Sequence, residues 1–258
     1  MISEWRDLRH ECGSKYTVSP EVHDDDFLWQ FVLGLPVFPQ PETAVRYYFS
    51  DGAESAQKLS TVIREHLKIK SPSGRYSLLE FASGYGMVTR HLRNALGGAD
   101  RVSCDIHQQA IDFIRDQLGE AATLSQHVPE DLALGRTFDV VFALSFFSHV
   151  PEATFGRWLQ ALFAAVSPGG ILVFTTHGLA SLPNFGNPEI PESGFWFVPN
   201  SEQGDLDRDE YGSSLTTPDY VIAELFRSVG APLAAFKSAY WWGHQDLYVL
   251  PRAEAPSI

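Results

Sequence analysis

One short stretch, residues 78–86, limits the fold more than any other part of the chain. It runs Leu-Leu-Glu-Phe-Ala-Ser-Gly-Tyr-Gly, an apolar strand followed by a turn through small residues. Glycines let the backbone pass close to a ligand at points where a Cβ atom would clash. The free N–H groups at the beginning of the following helix point to the same place. The stretch therefore predicts a ligand-binding turn at the end of a β-strand.

The charge of Glu80 narrows the kind of ligand. A turn of this type commonly binds phosphate, but a carboxylate at the strand end would repel a pyrophosphate. The same carboxylate would attract a cationic or ammonium-bearing ligand. Glu80 therefore indicates a positively charged ligand rather than a dinucleotide.

Apolar strands alternate with helical segments from residue 76 onward, which is typical of a parallel sheet covered by helices on both faces. The predicted strands are 76–81, 101–104, 122–125, 138–144, 171–176, 233–239 and 246–250. The predicted helices are 87–96, 110–118, 155–166 and 218–229.

Two further segments flank or interrupt this pattern. Residues 1–70 contain an irregular, proline-containing stretch and then a helix near 55–67, and we predict that they form an N-terminal cap or lid. Residues 177–217 are too long for a connecting loop in a compact domain. We therefore predict a ligand-binding domain over 71–258, with 177–217 as an insertion that shapes the substrate site.

The charge and the apolar content of the chain exclude several partners. A net charge of −13 disfavours binding to nucleic-acid backbones, which depends on clustered Lys and Arg. The longest apolar run, 140–147, is far shorter than the roughly 20 residues that span a bilayer. Cys12 and Cys104 have no metal-site spacing, and the first residues lack a secretory signal. We expect a cytoplasmic protein without a metal, a membrane partner or a nucleic-acid partner.

Ligands of open α/β sheets bind outside the carboxyl ends of the strands, so the residues at those ends are the candidates for a site. Asp105 ends the second strand, 19 positions after Gly86, where an acidic residue can accept hydrogen bonds from ribose hydroxyls. The third and fourth strands lead to residues 126–129 and 144–149. We expect these four loops to line one crevice.

Several motifs together resemble the class I S-adenosylmethionine-dependent methyltransferases. The run from Glu80 to Gly86 is similar to the family's Glu/Asp-x-Gly-x-Gly-x-Gly, with Ala82 in place of the first glycine. Phe-Asp-Val-Val at 138–141 resembles the fourth-strand motif, and Ser-Pro-Gly-Gly at 167–170 resembles the turn before strand five. The resemblance covers residues 77–251. It implies a three-layer Rossmann-like, mostly parallel seven-stranded sheet with an antiparallel last strand, and S-adenosylmethionine as the methyl donor.

The resemblance also implies a set of cofactor-binding residues. Asp105 would hold the ribose, and residues around Val128 would flank the adenine. Gln126 stands where the family often has an acidic residue, so backbone groups or His127 can take over that contact. The full predicted set is Glu80, Phe81, Ala82, Ser83, Gly84, Gly86, Asp105, Ile106, His127, Val128, Leu144 and Ser145.

Few residues need to take part in the chemistry, because methyl transfer is an in-line displacement that mainly needs oriented reactants and excluded water. A hydroxyl or amine acceptor benefits from a base. His149 follows strand four and His177 ends strand five, so both are candidates for this role, with packing or helix capping as the alternative. His244, between the last strands, is predicted to be structural.

Aromatic residues outside the predicted sheet suggest an apolar substrate pocket under a lid. The alternative is a small satellite core beneath a long loop. The predicted substrate-binding residues are Tyr47, Tyr48, Phe147, Phe195, Trp196 and Tyr211. Trp241 and Trp242 fit either the surface of a homodimer or ordinary packing.

The prediction is an S-adenosylmethionine-dependent methyltransferase that acts on oxygen or nitrogen of a small organic molecule. One alternative is a catalytically silent protein that binds the cofactor as a signal or scaffold. Another is a nicotinamide-dependent oxidoreductase. The latter is disfavoured because Thr89 stands where the dinucleotide motif has its third glycine, because of the charge of Glu80, and because no Tyr-x-x-x-Lys pair is present.

Overall fold

A computed structural model describes residues 5–68, 74–200 and 203–254. The predicted α/β fold with a seven-stranded, mostly parallel sheet is confirmed. The chain divides into two compact units, which we call the first unit (Met1–Glu65 with Ile69–Ser125) and the second unit (His66–Lys68 with Gln126–Ile258). The predicted boundary at residue 70 lies outside the described residues.

The first unit begins with helices that enclose their own apolar core. They are α1 (Arg6–Tyr16), α2 (Phe27–Gly34) and α3 (Pro41–His66). The helix predicted near 55–67 therefore begins much earlier, at Pro41. Proline suits the first turn of a helix, because its missing N–H group has no partner there and its φ angle is already helical. Pro41, which lies in the proline-containing stretch, thus begins a helix.

The strands of the first unit lie in the order β3-β2-β1, and adjacent strands are parallel. Their bounds are Tyr76–Phe81 for β1, Ala99–Asp105 for β2 and Ala121–Leu124 for β3. Helices α4 (Thr89–Ala95) and α5 (Gln108–Phe113) connect them, and α5 continues as a π-helical turn, Ile114–Leu118. Because Phe81 pairs with Cys104, the ends of β1 and β2 lie side by side.

The second unit contains the remaining strands and two long helices. In chain order they are β4 (Phe138–Ala143), α6 (Glu152–Ala164), β5 (Val166–His177), β6 (Phe195–Val198), β7 (Ser213–Thr216), α7 (Pro218–Ser228), β8 (Ala235–Trp241) and β9 (Gln245–Pro251). The sheet order is β4-β5-β9-β8, with β9 antiparallel to both neighbours. The predicted antiparallel last strand is thereby confirmed.

Strand β5 is longer than predicted. Residues 167–170, expected to form a turn before the strand, continue it, and the pairing with β4 shifts register between Phe138 and Val140. The irregular register lets the strand continue through Pro168, which cannot donate a ladder hydrogen bond.

The insertion forms a β-ribbon, in which β6 and β7 pair antiparallel. The Oγ1 of Thr216 donates to the Oγ1 of Thr176 at 2.9 Å. The Oγ of Ser214 donates to the carbonyl of Phe147 at 3.0 Å. These bonds attach β7 to β5 and to the loop after β4, so the β-ribbon is part of the second unit.

Trp241 is fully buried and its ring centroid lies 5.6 Å from that of Phe142. Of the two interpretations of Trp241, packing is the one that the structure supports. Within the described residues, no helix combines the length and the apolarity that crossing a membrane requires.

Candidate functional site

The glycine turn after β1 adopts the left-handed backbone conformation at Ala82, Gly84 and Gly86, with φ angles of 57°, 54° and 81°. A Cβ atom on Gly86 would lie 2.5 Å from the Cδ1 of Leu118, so this position requires glycine. A Cβ atom on Gly84 would meet nothing within 4 Å. The backbone at Gly84 is therefore open to the approach of a ligand.

Asp105 holds the glycine turn to the end of β2. Its Oδ2 accepts a hydrogen bond from the backbone N–H of Gly84 at 2.7 Å. Its Oδ1 lies 3.1 Å from the backbone nitrogen and 2.8 Å from the Nδ1 of His107. Each carboxylate oxygen has two lone pairs, so the Oδ2 of Asp105 can still accept one hydrogen bond from a ligand.

The side chain of Glu80 lies inside the first unit. It is 4% exposed, and its Oε2 accepts hydrogen bonds from Thr89 Oγ1 at 2.6 Å and from Ser103 Oγ at 3.0 Å. Burial raises the pKa of Glu80 from 4.5 to about 7, although the two hydroxyl groups oppose this shift. Glu80 was expected to attract the ligand by its charge. The structure instead gives it a positioning role, because it joins β1, β2 and the beginning of α4.

Arg90 connects the glycine turn to the N-terminal segment. No pattern in the sequence predicts this role. Its Nε donates to the carbonyl of Gly86 at 3.1 Å. Its Nη1 donates to the carbonyls of Ser19 and Glu21 at 3.0 and 2.8 Å. In the same segment, the ring of His23 stacks on Tyr85 of the turn at 4.7 Å. Residues 19–23 are therefore part of the surroundings of the turn.

Several predicted substrate-binding residues lie in the core. Tyr48, Phe147 and Phe195 are 0%, 0% and 4% exposed. The hydroxyl of Tyr48 donates to the Oδ2 of the buried Asp26 at 2.6 Å. Side chains without accessible surface cannot contact a substrate in this conformation, so the prediction for these three is corrected to packing. Tyr47, Trp196 and Tyr211 keep partly accessible side chains.

The loop after β4 begins with a strained residue, Ser145, whose φ angle is 60°. Its N–H group donates to the Oγ1 of Thr175 at 2.8 Å, and its Oγ accepts from the Nε2 of Gln245, also at 2.8 Å. The Oγ1 of Thr175 donates to the Oε1 of Gln245 at 2.6 Å. This closed network stabilises the left-handed conformation and determines the direction in which the loop leaves the strand.

Three histidines of the second unit lie in a row, which we call the imidazole row: His149, His177 and His244. The ring centroids of His149 and His177 are 6.0 Å apart, and those of His177 and His244 are 5.7 Å apart. The structure thus brings the two predicted catalytic histidines together. It also adds His244, which was predicted to be structural and for which the sequence offers no distinguishing pattern.

Each histidine of the imidazole row is held at its Nδ1 atom. The Nδ1 of His149 lies 2.9 Å from the carbonyl oxygen of Gly212, and that of His177 lies 3.2 Å from the carbonyl oxygen of Ser214. Burial lowers the pKa of His149, and it lowers the pKa of His177 to about 3, with His149 and His244 adding to the effect. Burial also lowers the pKa of His244. The row is therefore uncharged at neutral pH.

The two residues predicted to flank the adenine are accessible. Val128 is 43% exposed. The side chain of His127 is 64% exposed, and its Nδ1 lies 4.0 Å from a carboxylate oxygen of Glu210. Their contact with a cofactor stays a prediction. Among the described residues, no group of three or more His, Cys, Asp or Glu side chains has a geometry that could hold a metal ion.

Comparison with known proteins defines the class. Residues 79–172 match a protein family described as a methyltransferase domain. No curated protein sequence shows significant similarity to the chain. The domain match and the fold agree with the predicted resemblance to class I S-adenosylmethionine-dependent methyltransferases, and the domain match supports an enzyme of this kind.

Solved structures with the same fold share little sequence with this chain. DesVI from Streptomyces venezuelae has a TM-score of 0.57 at 19% identity, covering 91% of this chain and 100% of that one. An S-adenosylmethionine-dependent methyltransferase from Clostridium acetobutylicum has a TM-score of 0.55 at 12% identity, covering 80% and 92%. The glycopeptide N-methyltransferase MtfA in complex with S-adenosylhomocysteine has a TM-score of 0.52 at 20% identity, covering 80% and 88%.

Proposed function

We propose that this protein transfers the methyl group of S-adenosylmethionine to a nitrogen or oxygen atom of a small organic molecule. The observation that carries the proposal is the glycine turn. The N–H group of Gly84 is held by Asp105, and the space beside Gly84 is empty of protein atoms. This arrangement lies within the part of the chain that matches the methyltransferase domain.

The residues fit the donor in their chemistry. The Oδ2 of Asp105 has one free lone pair for a ribose hydroxyl, and the backbone at Gly84 is open to the methionine part. His127 and Val128 flank the adenine in this proposal. For the remaining predicted donor-site residues, contact with the donor stays a prediction: Phe81, Ala82, Ser83, Gly86, Ile106, Leu144 and Ser145.

The donor supplies a methyl group on a positively charged sulfur, which is already activated for displacement. The protein has to hold the acceptor in line, exclude water and receive a proton. His149 is the more accessible of the two predicted histidines, because His177 is only 9% exposed. A group with a pKa of about 3, such as His177, holds a proton poorly at neutral pH. In this proposal His149 takes the proton from the acceptor, and His177 binds and orients the acceptor.

The first test is binding of the donor and its product. Calorimetry with S-adenosylmethionine and S-adenosylhomocysteine should show binding of both, and Asp105→Ala should weaken it by about 10-fold or more, because one charge-assisted hydrogen bond to the ligand is lost. Asp112→Ala is the matched control, since its side chain is 55% exposed. If neither ligand binds the native protein, the proposal is wrong.

The second test is turnover, which separates an enzyme from a silent binding protein. The native protein should transfer a labelled methyl group from S-adenosylmethionine to a component of a mixed metabolite extract. Asp105→Ala should abolish most of the labelling, whereas Asp112→Ala should not. Binding of the donor without labelling of any fraction would favour the silent scaffold.

A further inference from the structure

The imidazole row has a feature that a general methyl-acceptor site does not require: the tautomers of its members are determined. A carbonyl oxygen only accepts hydrogen bonds, so the Nδ1 atoms of His149 and His177 must carry the protons. For His244, the Oγ of Ser181 donates its proton to the carbonyl of His244 at 2.7 Å. The same Oγ therefore accepts from the Nδ1 of His244 at 3.1 Å.

As a result, every Nε2 atom of the row carries a lone pair and no proton. None of these three atoms has a hydrogen bond to a residue in the described part of the chain, although all three rings are held at Nδ1. His177 is 9% exposed, while His149 and His244 are more accessible. The row thus presents hydrogen-bond acceptors and no donors at its Nε2 positions.

Aromatic rings surround these acceptors. Tyr211 stacks on His149 with a centroid distance of 5.0 Å, and Phe185 lies 5.1 Å from His177. Trp242 stacks on His244 at 6.1 Å. Aromatic faces attract cations. The residues of the row do not form a metal site, because no such group is found among the described residues.

We propose that the imidazole row selects an amine as the methyl acceptor, with the N–H groups of a primary or secondary amine bound to the Nε2 atoms of His149, His177 and His244. This inference rests on the proposed function and names its substrate class. A primary amine has two N–H donors, and the ammonium forms of primary and secondary amines have three and two, whereas a hydroxyl has one and an ionised carboxylate or phosphate has none. A group without donors would place lone pair against lone pair, which is unfavourable.

The chemistry balances with this acceptor. An ammonium group gives one proton to the Nε2 of His149, and the proton then passes to water. The freed nitrogen lone pair forms the new N–C bond with the methyl group while the S–C bond breaks and its electron pair stays on sulfur. The products are the N-methylated ammonium, S-adenosylhomocysteine and one released proton.

The test identifies the methylated atom and then removes acceptors one at a time. Methyl-labelled S-adenosylmethionine is incubated with the full-length protein and a mixed metabolite extract, and mass spectrometry locates the label. His244→Asn and His177→Asn keep a side-chain N–H near the position of Nδ1 but lack Nε2. His10→Asn is the control, because His10 is exposed and belongs to neither site.

We expect the label on nitrogen. For that substrate, His244→Asn should raise KM by about 10-fold with kcat within about threefold, as expected for one lost hydrogen bond. His177→Asn should behave alike, and both should bind S-adenosylmethionine like the native protein, which also shows that they fold. The control should match the native protein.

Three results would overturn the inference. Label on oxygen would contradict the amine acceptor but leave the proposed function intact, whereas label on carbon would contradict both. Label on nitrogen, together with native KM values for both asparagine variants, would show that the imidazole row does not bind the amine. An absence of any labelled product, despite bound S-adenosylmethionine, would remove the inference and the proposed function together.

Discussion

The glycine turn of the first unit and the imidazole row of the second unit differ in how far the protein satisfies the hydrogen bonds of their polar side chains. In the turn, Glu80 and Asp105 are hydrogen-bonded by the protein itself, through two hydroxyl groups, the N–H of Gly84 and His107. In the row, each imidazole has one nitrogen held and the other without a partner in the described part of the chain. The first arrangement preorganises a backbone, and the second leaves acceptors for a ligand.

Burial acts on both regions in the same way but shifts their pKa values in opposite directions. It disfavours charge, so it raises the pKa of the acid Glu80 and lowers that of the base His177. The stability of the two regions should therefore depend on pH with opposite sign. This contrast can be tested by removing one group at a time.

The largest expected effect on the free energy of unfolding comes from the protonation of His177. Its pKa falls from 6.5 unfolded to about 3 folded, so the unfolded state binds more protons in this window and stability is lost as the pH falls. At about 1.4 kcal/mol per pKa unit, the loss amounts to about 5 kcal/mol between pH 6.5 and 3. Urea denaturation of His177→Asn across this range should show a flatter curve than that of the native protein. The neighbouring His149 and His244 are present in both proteins. Equal slopes of stability against pH for the two proteins would mean that His177 is not buried as described.

Glu80 should show the reverse dependence. Its pKa rises from 4.5 to about 7 on folding, so its contribution is present below pH 4.5 and is lost as the pH rises to about 7. The loss is about 3 kcal/mol. Glu80→Gln should abolish this decline, because the hydroxyls of Thr89 and Ser103 can exchange donor and acceptor roles with an amide. The exposed Glu42→Gln is the control, and the neighbouring carboxyl groups of Asp105 and Glu120 are present in both proteins.

A methyl group added to the glycine turn should have a smaller effect. Gly86→Ala forces a side chain into a φ angle of 81° and toward Leu118, which should lower the free energy of unfolding by about 2 kcal/mol. Gly97→Ala is the matched control, because a Cβ atom there meets nothing within 4 Å. Chemical denaturation of both variants measures the difference. Similar values for the two variants would contradict the close approach at Gly86.

The smallest expected effect on the free energy of unfolding is that of Ala82→Gly, which should stabilise the protein. Ala82 adopts a φ angle of 57°, where a residue with a Cβ atom is strained by roughly 1–2 kcal/mol. Ala82→Gly relieves this strain but adds freedom to the unfolded chain, which costs roughly 0.5–1 kcal/mol. We expect a net gain of about 0.5 kcal/mol or slightly more in thermal or urea denaturation. A loss of stability would show that the methyl group of Ala82 contributes packing that outweighs its strain.

Some predictions could be made from the sequence because they depend on near neighbours in the chain. The bounds of β1 agree with the predicted 76–81, and Asp105 ends β2 as expected. Arg90 could not be found in this way, because its partners Ser19 and Glu21 lie 71 and 69 residues away. The aromatic residues Tyr48, Phe147 and Phe195 were misassigned for the same reason, since composition alone does not tell a buried ring from a pocket wall.

The sequence by itself predicted the fold class of this protein and the place of its ligand-binding turn, because a strand, a glycine turn and a helix follow from local spacing and backbone sterics. Only the tertiary structure decided which nitrogen of each imidazole is left for a ligand. The carbonyl groups that hold His149 and His177 belong to Gly212 and Ser214, 63 and 37 residues away. The protonation of a buried ring depends on the groups that surround it in space, and those groups are brought to it only by the fold.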